Sequence, residues 1–214
     1  MSLMKVVVIG NSRDILARDN GAAIDACDLV IRLNSFKTDG VERHVGRRVD
    51  VVSICLAPWV VANALVHAAE QIARAPAIWT PSWRGHAEDH EVTAAMATCR
   101  RPVSDLVFAD DTGHAKLIQD LYAEFHRRAE ARPGPKTQAP DGKRLLPTTG
   151  FLTVHLARAR FPSAALFITG FGLNSPPSPA RFDASGVPMW LGHDLPTERA
   201  WLFEGAQQGS WKLL

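Results

Sequence analysis

Two turns and one histidine hold the chemistry that this chain could carry. Gly10-Asn11-Ser12 follows the apolar run Val6-Val7-Val8-Ile9. A buried strand that breaks at glycine and hands over to a polar, partly helical stretch from Asp14 aims backbone N–H groups at one spot, where an anion can sit. A second apolar run, Leu29-Val30-Ile31, ends in Arg32 and Asn34 and would bring a cation and an amide beside that turn. This first unit reads as a nucleotide phosphate site. Thr148-Thr149-Gly150 stands before another helical stretch, Phe151 to Arg160. Threonine caps helices well, and a capped N-terminus stays electropositive, so capping and anion binding are compatible there. His193 precedes a helix that Pro196 could start. It is a general-base candidate near neutral pH, with Glu198 to orient it or to cap the helix.

Other groups are weaker candidates. The first turn lacks GxGxxG and GxxxxGK[ST], so the residues by themselves support an anion turn of unspecified kind or a simple strand-to-helix turn. His86 and His90, with Glu88, Asp89 and Glu91, lack HExxH and read as a solvated helix start. There is no DxD triplet to clamp a metal–diphosphate, and no metal site is expected. His155 reads as a helix residue and Arg127-Arg128 as a charge match at a helix C-terminus. Trp83 and Trp190 could stack on a sugar face or simply pack.

The elements that must position these groups alternate. Strands are expected at Val6–Ile9, Leu29–Ile31, Val51–Leu56, Ala77–Trp79, Leu106–Phe108 and Leu166–Thr169, with Trp211–Leu214 closing the sheet. Helices are expected over Val60–Ala75, Glu91–Thr98, Thr112–Ala131, Phe151–Arg160 and Pro196–Gly205. Leu117, Ile118, Leu121 and Phe125 give the longest of these an apolar face. This alternation predicts an α/β fold with a largely parallel sheet. The stretch 132–145 carries prolines and glycines and is expected to be a flexible loop or lid inside one domain, 4–214. Residues 1–3 read as an expression scar ahead of Met4.

Composition narrows the class. The chain has 214 residues, 46% hydrophobic and 21% charged, which suits one soluble domain with a substantial core. A formal net charge of +2, with basic residues scattered, argues against a nucleic-acid partner. Cys27, Cys55 and Cys99 form neither CxxC nor zinc spacing, and they read as small apolar fillers in a reducing compartment. No apolar run reaches membrane-span length and no signal peptide is visible, so a cytoplasmic protein is expected.

Three separated segments, taken together, resemble the sialyltransferases of glycosyltransferase family 29. Val8 to Ser12 through Ile24 to Asn34 is similar to the large sialylmotif, with Val45-Gly46-Arg47-Arg48 as its tail. Leu146 to Ala157, continuing to Ile168–Gly172, is similar to the small sialylmotif. His193 to Glu198 matches the H-x4-E of the very small motif. The segments occur in family order over less than half of the chain.

The resemblance implies a single Rossmann-type, GT-A-like domain with helices on both faces of the sheet. It implies an inverting, metal-independent transfer of a sugar, sialic acid or a related keto-sugar acid, from a CMP-sugar to a glycan or glycolipid hydroxyl. By the same resemblance, Gly10, Asn11, Ser12, Asn34, Thr148, Thr149 and Gly150 contact the donor, and His193 is the base, with Arg32 and Glu198 supporting. No cofactor beyond the CMP-sugar is implied. A bacterial-type enzyme is expected, meeting the inner face of the membrane through its acceptor. The family's linking cysteines have no counterpart, Phe161 standing near the second place. The third motif has no match between Gly172 and His193, where Arg181 and Trp190 are the candidate substitutes, and the one tyrosine, Tyr122, lies far away in sequence. The alternatives are another α/β nucleotide-binding enzyme, such as a reductase or nucleotide hydrolase, and a non-catalytic CMP- or sugar-binding module.

Overall fold

The run of valines in β1 (Lys5–Ile9) is apolar at successive positions because both faces of the strand are covered. A computed structural model describes residues 3–133, 145–173 and 192–214. Besides β1, the sheet contains β2 (Leu29–Leu33), β3 (Val51–Ser53), β4 (Ala77–Trp79), β5 (Leu106–Val107), β6 (Ala165–Thr169) and β7 (Lys212–Leu213). Its order is β5-β4-β3-β2-β1-β6-β7, and every pairing is parallel. The helices are α1 (Gly21–Asp25), α2 (Glu42–Val45), α3 (Pro58–Asn63), α4 (Ala69–Ala73), α5 (Asp89–Thr98), α6 (Ala115–Ala131), α7 (Thr149–Arg160) and α8 (Leu195–Gln207). This is the expected single parallel α/β domain.

Strand periodicity divides the core. Val6, Val8, Ile31 and Leu33 face α6, α7 and α8, where Phe151, Val154 and Leu202 meet them. Val7, Ile9 and Val30 face the opposite side with Ile24 and Val45. Val52, Ile54 and Ile78 share that side with Leu65, Ile72 and Met96. The last strand, β7, pairs with β6 as the sequence led us to expect.

Helix boundaries shifted for local reasons. The helix expected over Val60–Ala75 is broken at Ala64, and a 3-10 turn, Leu65–Ala68, joins α3 to α4. Leu65, Ala68 and Ile72 are buried in the core. α6 starts at Ala115 rather than Thr112, because Gly113 ends a preceding turn in the left-handed conformation. α5 starts at Asp89, two residues early, where Glu88 and Glu91 form a reciprocal capping box. Residues 1–2 and most of the loop expected at 132–145 lie outside the described residues. Among the described residues, no helix is long and apolar enough to cross a membrane.

The chain lays down β1 to β5 in one direction, then returns through α6 and α7 to place β6 on the other side of β1. At such a reversal the connections leave the C-terminal strand ends on opposite sides, and a crevice opens. Here Gly10 and Gly170 meet across it. Ser12 N–H donates to the Gly170 carbonyl at 2.8 Å, and Gly10 N–H to that of Thr169 at 2.8 Å. A Cβ on Gly170, whose φ is +72°, would stand 2.4 Å from the Gly10 carbonyl oxygen. Gly113 has a similar φ, +73°, but open space around it. We therefore expect Gly170→Ala to cost at least about 1 kcal/mol more than Gly113→Ala in urea unfolding, because it adds overpacking to the same backbone strain. Equal costs would contradict the close approach.

Candidate active site

A cavity of about 570 Å³ opens along the C-terminal strand ends. Gly10, Asn11, Ser12, Asn34, Thr148, Thr149, Gly150, His193 and Glu198 all line it. Three segments far apart in the chain thus meet at one place, which is where a parallel sheet presents its ligands.

Each of these residues is held by its element. Asn11 donates its side-chain amide to the Leu33 carbonyl at 3.1 Å, joining the β1 turn to the end of β2. Asn34 ends β2 with φ +44°, a left-handed conformation that asparagine tolerates. Its Oδ1 accepts from Cys55 N–H at 2.8 Å and so sets the path after β3. Thr148 caps α7, its hydroxyl accepting from Phe151 N–H at 3.1 Å. The N–H groups of Thr149 and Gly150 belong to the first turn, where no carbonyl four residues back is available, and they have no backbone partner among the described residues. They supply the electropositive end of a twelve-residue helix to the cavity. A Cβ on Gly150 would lie 2.8 Å from Leu33 Cδ1 and 3.0 Å from Phe171 Cε1, so those two side chains would have to shift.

Glu198 is the brace of this arrangement. Its carboxyl accepts from Thr148 N–H at 2.5 Å and from the Thr148 hydroxyl at 2.7 Å. It is 4% exposed. Burial raises its pKa to about 8, Asp194 adds to the rise, and the two Thr148 bonds oppose it. The expectation that Glu198 orients His193 is therefore corrected: its bonds go to Thr148. The histidine is set by the backbone instead, with Nδ1 2.7 Å from the Leu146 carbonyl oxygen. That oxygen can only accept, so Nδ1 carries the proton and the neutral ring has its lone pair on Nε2.

Arg32 is corrected more fully. The cation expected beside the anion turn is 1% exposed and donates to the carbonyls of Val45 at 2.8 Å and Arg48 at 2.9 Å. Burial lowers its pKa to about 10. It locks the α2 end onto β2 and does not line the cavity. Arg181 and Trp190 lie outside the described residues. His155 is a packed residue, as read: its ring sits against Phe151, Trp201 and Trp211, and burial holds its pKa down at about 4.

Several lining residues escaped the sequence reading. Tyr122, distant in sequence, reaches the cavity from α6, and burial pushes its phenol pKa up. His86, expected in a solvated helix start, is exposed and packs at a tilt against Trp83 and Tyr122, with ring centroids 4.3 and 5.7 Å away. Trp83 itself packs behind them and is not a lining residue. Cys55, read as a filler, lines the cavity, whereas Cys27 and Cys99 are buried. Trp59 and Arg199 also line it. Trp59 had a legible signal, an indole just beyond the C-terminal end of a strand, where loops carry ligands. Tyr122 had none, being next to Leu121 on a helix read for its apolar face.

Residues 2–167 match the model of glycosyltransferase family 29, the sialyltransferases. The chain belongs to this family. It is therefore a glycosyltransferase. No curated protein matches it by sequence. Among solved structures it is similar to a mammalian sialyltransferase in complex with Gal-beta-1-3GalNAc-ortho-nitrophenol, with a TM-score of 0.56 and 20% identity, covering 100% of this chain and 70% of that one. It is also similar to the sialyltransferase CstII from Campylobacter jejuni in complex with the substrate analogue cytidine-5'-monophosphate, with a TM-score of 0.56 and 13% identity, covering 100% of this chain and 80% of that one. At such identities the likeness concerns the fold of this family member.

The state of Glu198 sets a pH dependence. The unfolded carboxyl loses its proton near 4.3 and the folded one near 8. Between those values the folded protein holds more protons, so this group's contribution to stability falls as pH rises from about 4.5 to about 8. Glu198→Gln removes that term. We expect the wild type to lose stability relative to Glu198→Gln by a few kcal/mol, to order of magnitude, between pH 5 and pH 8 in urea titrations. Parallel curves for the two proteins would refute a protonated Glu198.

Proposed function

We propose that this family member transfers a sugar from a CMP-sugar, sialic acid or a related keto-sugar acid, to a glycan hydroxyl, with inversion and without a metal ion. The observation that carries the reading is the meeting of the Gly10 turn, the α7 N-terminus and His193 around one cavity. It is supported by the CMP and the disaccharide glycoside named with the two similar sialyltransferases.

The chemistry follows from the groups present. The phosphate of CMP sits at the α7 N-terminus, against the Thr149 and Gly150 N–H groups and the Gly10-Asn11-Ser12 turn. Asn34 and Asn11 face the ribose and sugar. The acceptor hydroxyl lies within reach of His193 Nε2. As the acceptor oxygen forms its bond to the anomeric carbon, the bond from that carbon to the phosphate oxygen breaks, on the opposite side. Its electron pair leaves with CMP, and the acceptor proton passes to Nε2. A single displacement of this geometry inverts the centre. Negative charge grows on one phosphate, and fixed N–H donors already aimed at that charge stabilise it without reorganising.

CMP at about a hundred times its dissociation constant should raise the melting temperature by roughly 5 °C or more, since it binds the folded state alone. No shift with CMP or a CMP-sugar at millimolar levels would overturn the donor assignment. His193→Ala should lower turnover about 10²-fold or more while CMP still stabilises the protein. Unchanged turnover would remove His193 from the role of base.

A further inference from the structure

Sugar transfer from a nucleoside monophosphate makes negative charge grow at one place. The phosphodiester of a CMP-sugar carries a single negative charge. When the bond from the anomeric carbon to the phosphate oxygen breaks, its electron pair stays on that oxygen. The phosphate monoester so released has a second pKa of about 6 and approaches two negative charges at neutral pH. A helix N-terminus answers this with roughly half a positive charge, so most of the growth is left for other groups to match. Among the described residues that line the cavity, one is a lysine or arginine, and that residue is Arg199.

Its neighbours place it at the phosphate end. Arg199 lies in the first turns of α8 and follows Glu198, whose carboxyl is bonded to Thr148 at the start of α7. One guanidinium nitrogen is 3.5 Å from the Leu173 carbonyl oxygen. Leu173 directly follows Gly170-Phe171-Gly172, the turn that crosses the Gly10 turn. Arg199 therefore reaches between the two backbones that frame the anion site, the α7 N-terminus and the crossed glycine turns. That setting is unfavourable to a lone cation. Positive side chains suit helix C-termini, whereas the electropositive ends of α7 and α8 meet here. An anion held among them relieves the repulsion. We propose that Arg199 pairs with the donor phosphate and stabilises the charge that grows there as CMP leaves. This rests on the donor reading above and adds a catalytic residue to it. An arginine offers a planar fork of N–H donors that matches two phosphate oxygens. Its hold strengthens as the phosphate gains charge, so it favours the transition state over the bound donor. A cation on a sugar's carboxylate, whose charge does not change, would bind both alike.

The test compares CMP with cytidine, which share the nucleoside and differ by the phosphate. Calorimetry on the full chain gives both dissociation constants for wild type, Arg199→Ala and Arg199→Lys. Arg199→Ala should weaken CMP about tenfold or more, the scale of one charge-assisted hydrogen bond, and leave cytidine within about twofold. Arg199→Lys should recover part of the loss, because it keeps the charge and gives up the fork. Phosphorus NMR of bound CMP reads the contact at the phosphate itself. A guanidinium beside it favours the dianion, so the second phosphate pKa should be lower on wild type than on Arg199→Ala. A merely structural role would weaken CMP and cytidine alike and leave that pKa unmoved, and this result would overturn the proposal. So would CMP binding indifferent to the substitution. CMP-sialic acid weakened while CMP is not would put the guanidinium on the sugar's carboxylate, against the proposal. If the alanine variant does not fold, the lysine variant carries the same comparison with a smaller expected loss. Failure of wild type to bind CMP is a separate result that strikes the donor reading itself.

Discussion

The contact between Glu198 and Thr148 is the one on which the site depends. It joins residues fifty positions apart, and it does so where the N-terminal ends of α7 and α8 meet. α7 is buried along most of its length, so its place against β1 is fixed by Phe151, Val154 and Leu156. At the start of α8, Arg132 pairs with Asp194 at 3.5 Å, Glu198 holds Thr148, and Thr197 donates its hydroxyl to Asp194 at 2.8 Å, closing the turn behind His193. The Leu146 carbonyl that orients His193 lies two residues before Thr148. His193 and the α7 N-terminus are therefore positioned by a single cluster, and a shift of one moves the other.

The sheet provides the remaining constraint. All strands run parallel, so every C-terminal end opens onto the same edge, and the reversal of order between β1 and β6 leaves a crevice there. Gly10 and Gly170 are present because their backbones cross at a distance that no side chain would survive. The close approach brings the Gly10 turn and the Gly170-Phe171-Gly172 turn together into one wall of the cavity. Opposite that wall the cavity changes character, from backbone donors to aromatic faces, within the width of three strands.

How much of this was legible follows from the range of each signal. Strand runs such as Val6–Ile9 and the apolar face of Leu117, Ile118 and Leu121 are local patterns, and they led to the right architecture. The Gly10, Thr148 and His193 segments are also local, and their order in the chain pointed to the family. Pairings across the fold carry no local mark. Arg32 ends an apolar strand, where a cation looks available, but two backbone carbonyls of the α2 region claim it. Glu198 is spaced to serve His193, yet the packing of α8 on α7 turns its carboxyl toward Thr148. Tyr122 reaches the cavity because α6 packs on its rim, which no window of sequence contains.

The elevated pKa of Glu198 bears on how the site treats a phosphate. A carboxylate bonded to Thr148 at the α7 N-terminus would neutralise part of the roughly half positive charge that the helix places there. The cavity would then offer its ligand a helix end already satisfied. Held protonated by burial, the same group keeps its hydrogen bonds and leaves that charge for the substrate. An incoming phosphate at Thr149 and Gly150 would push the carboxyl further toward its neutral form, since like charges disfavour one another. By reciprocity, conditions that ionise Glu198 must weaken the phosphate's hold by the same factor. The brace that fixes the geometry of the site thus also keeps it electropositive, and both depend on the carboxyl being shut away from water.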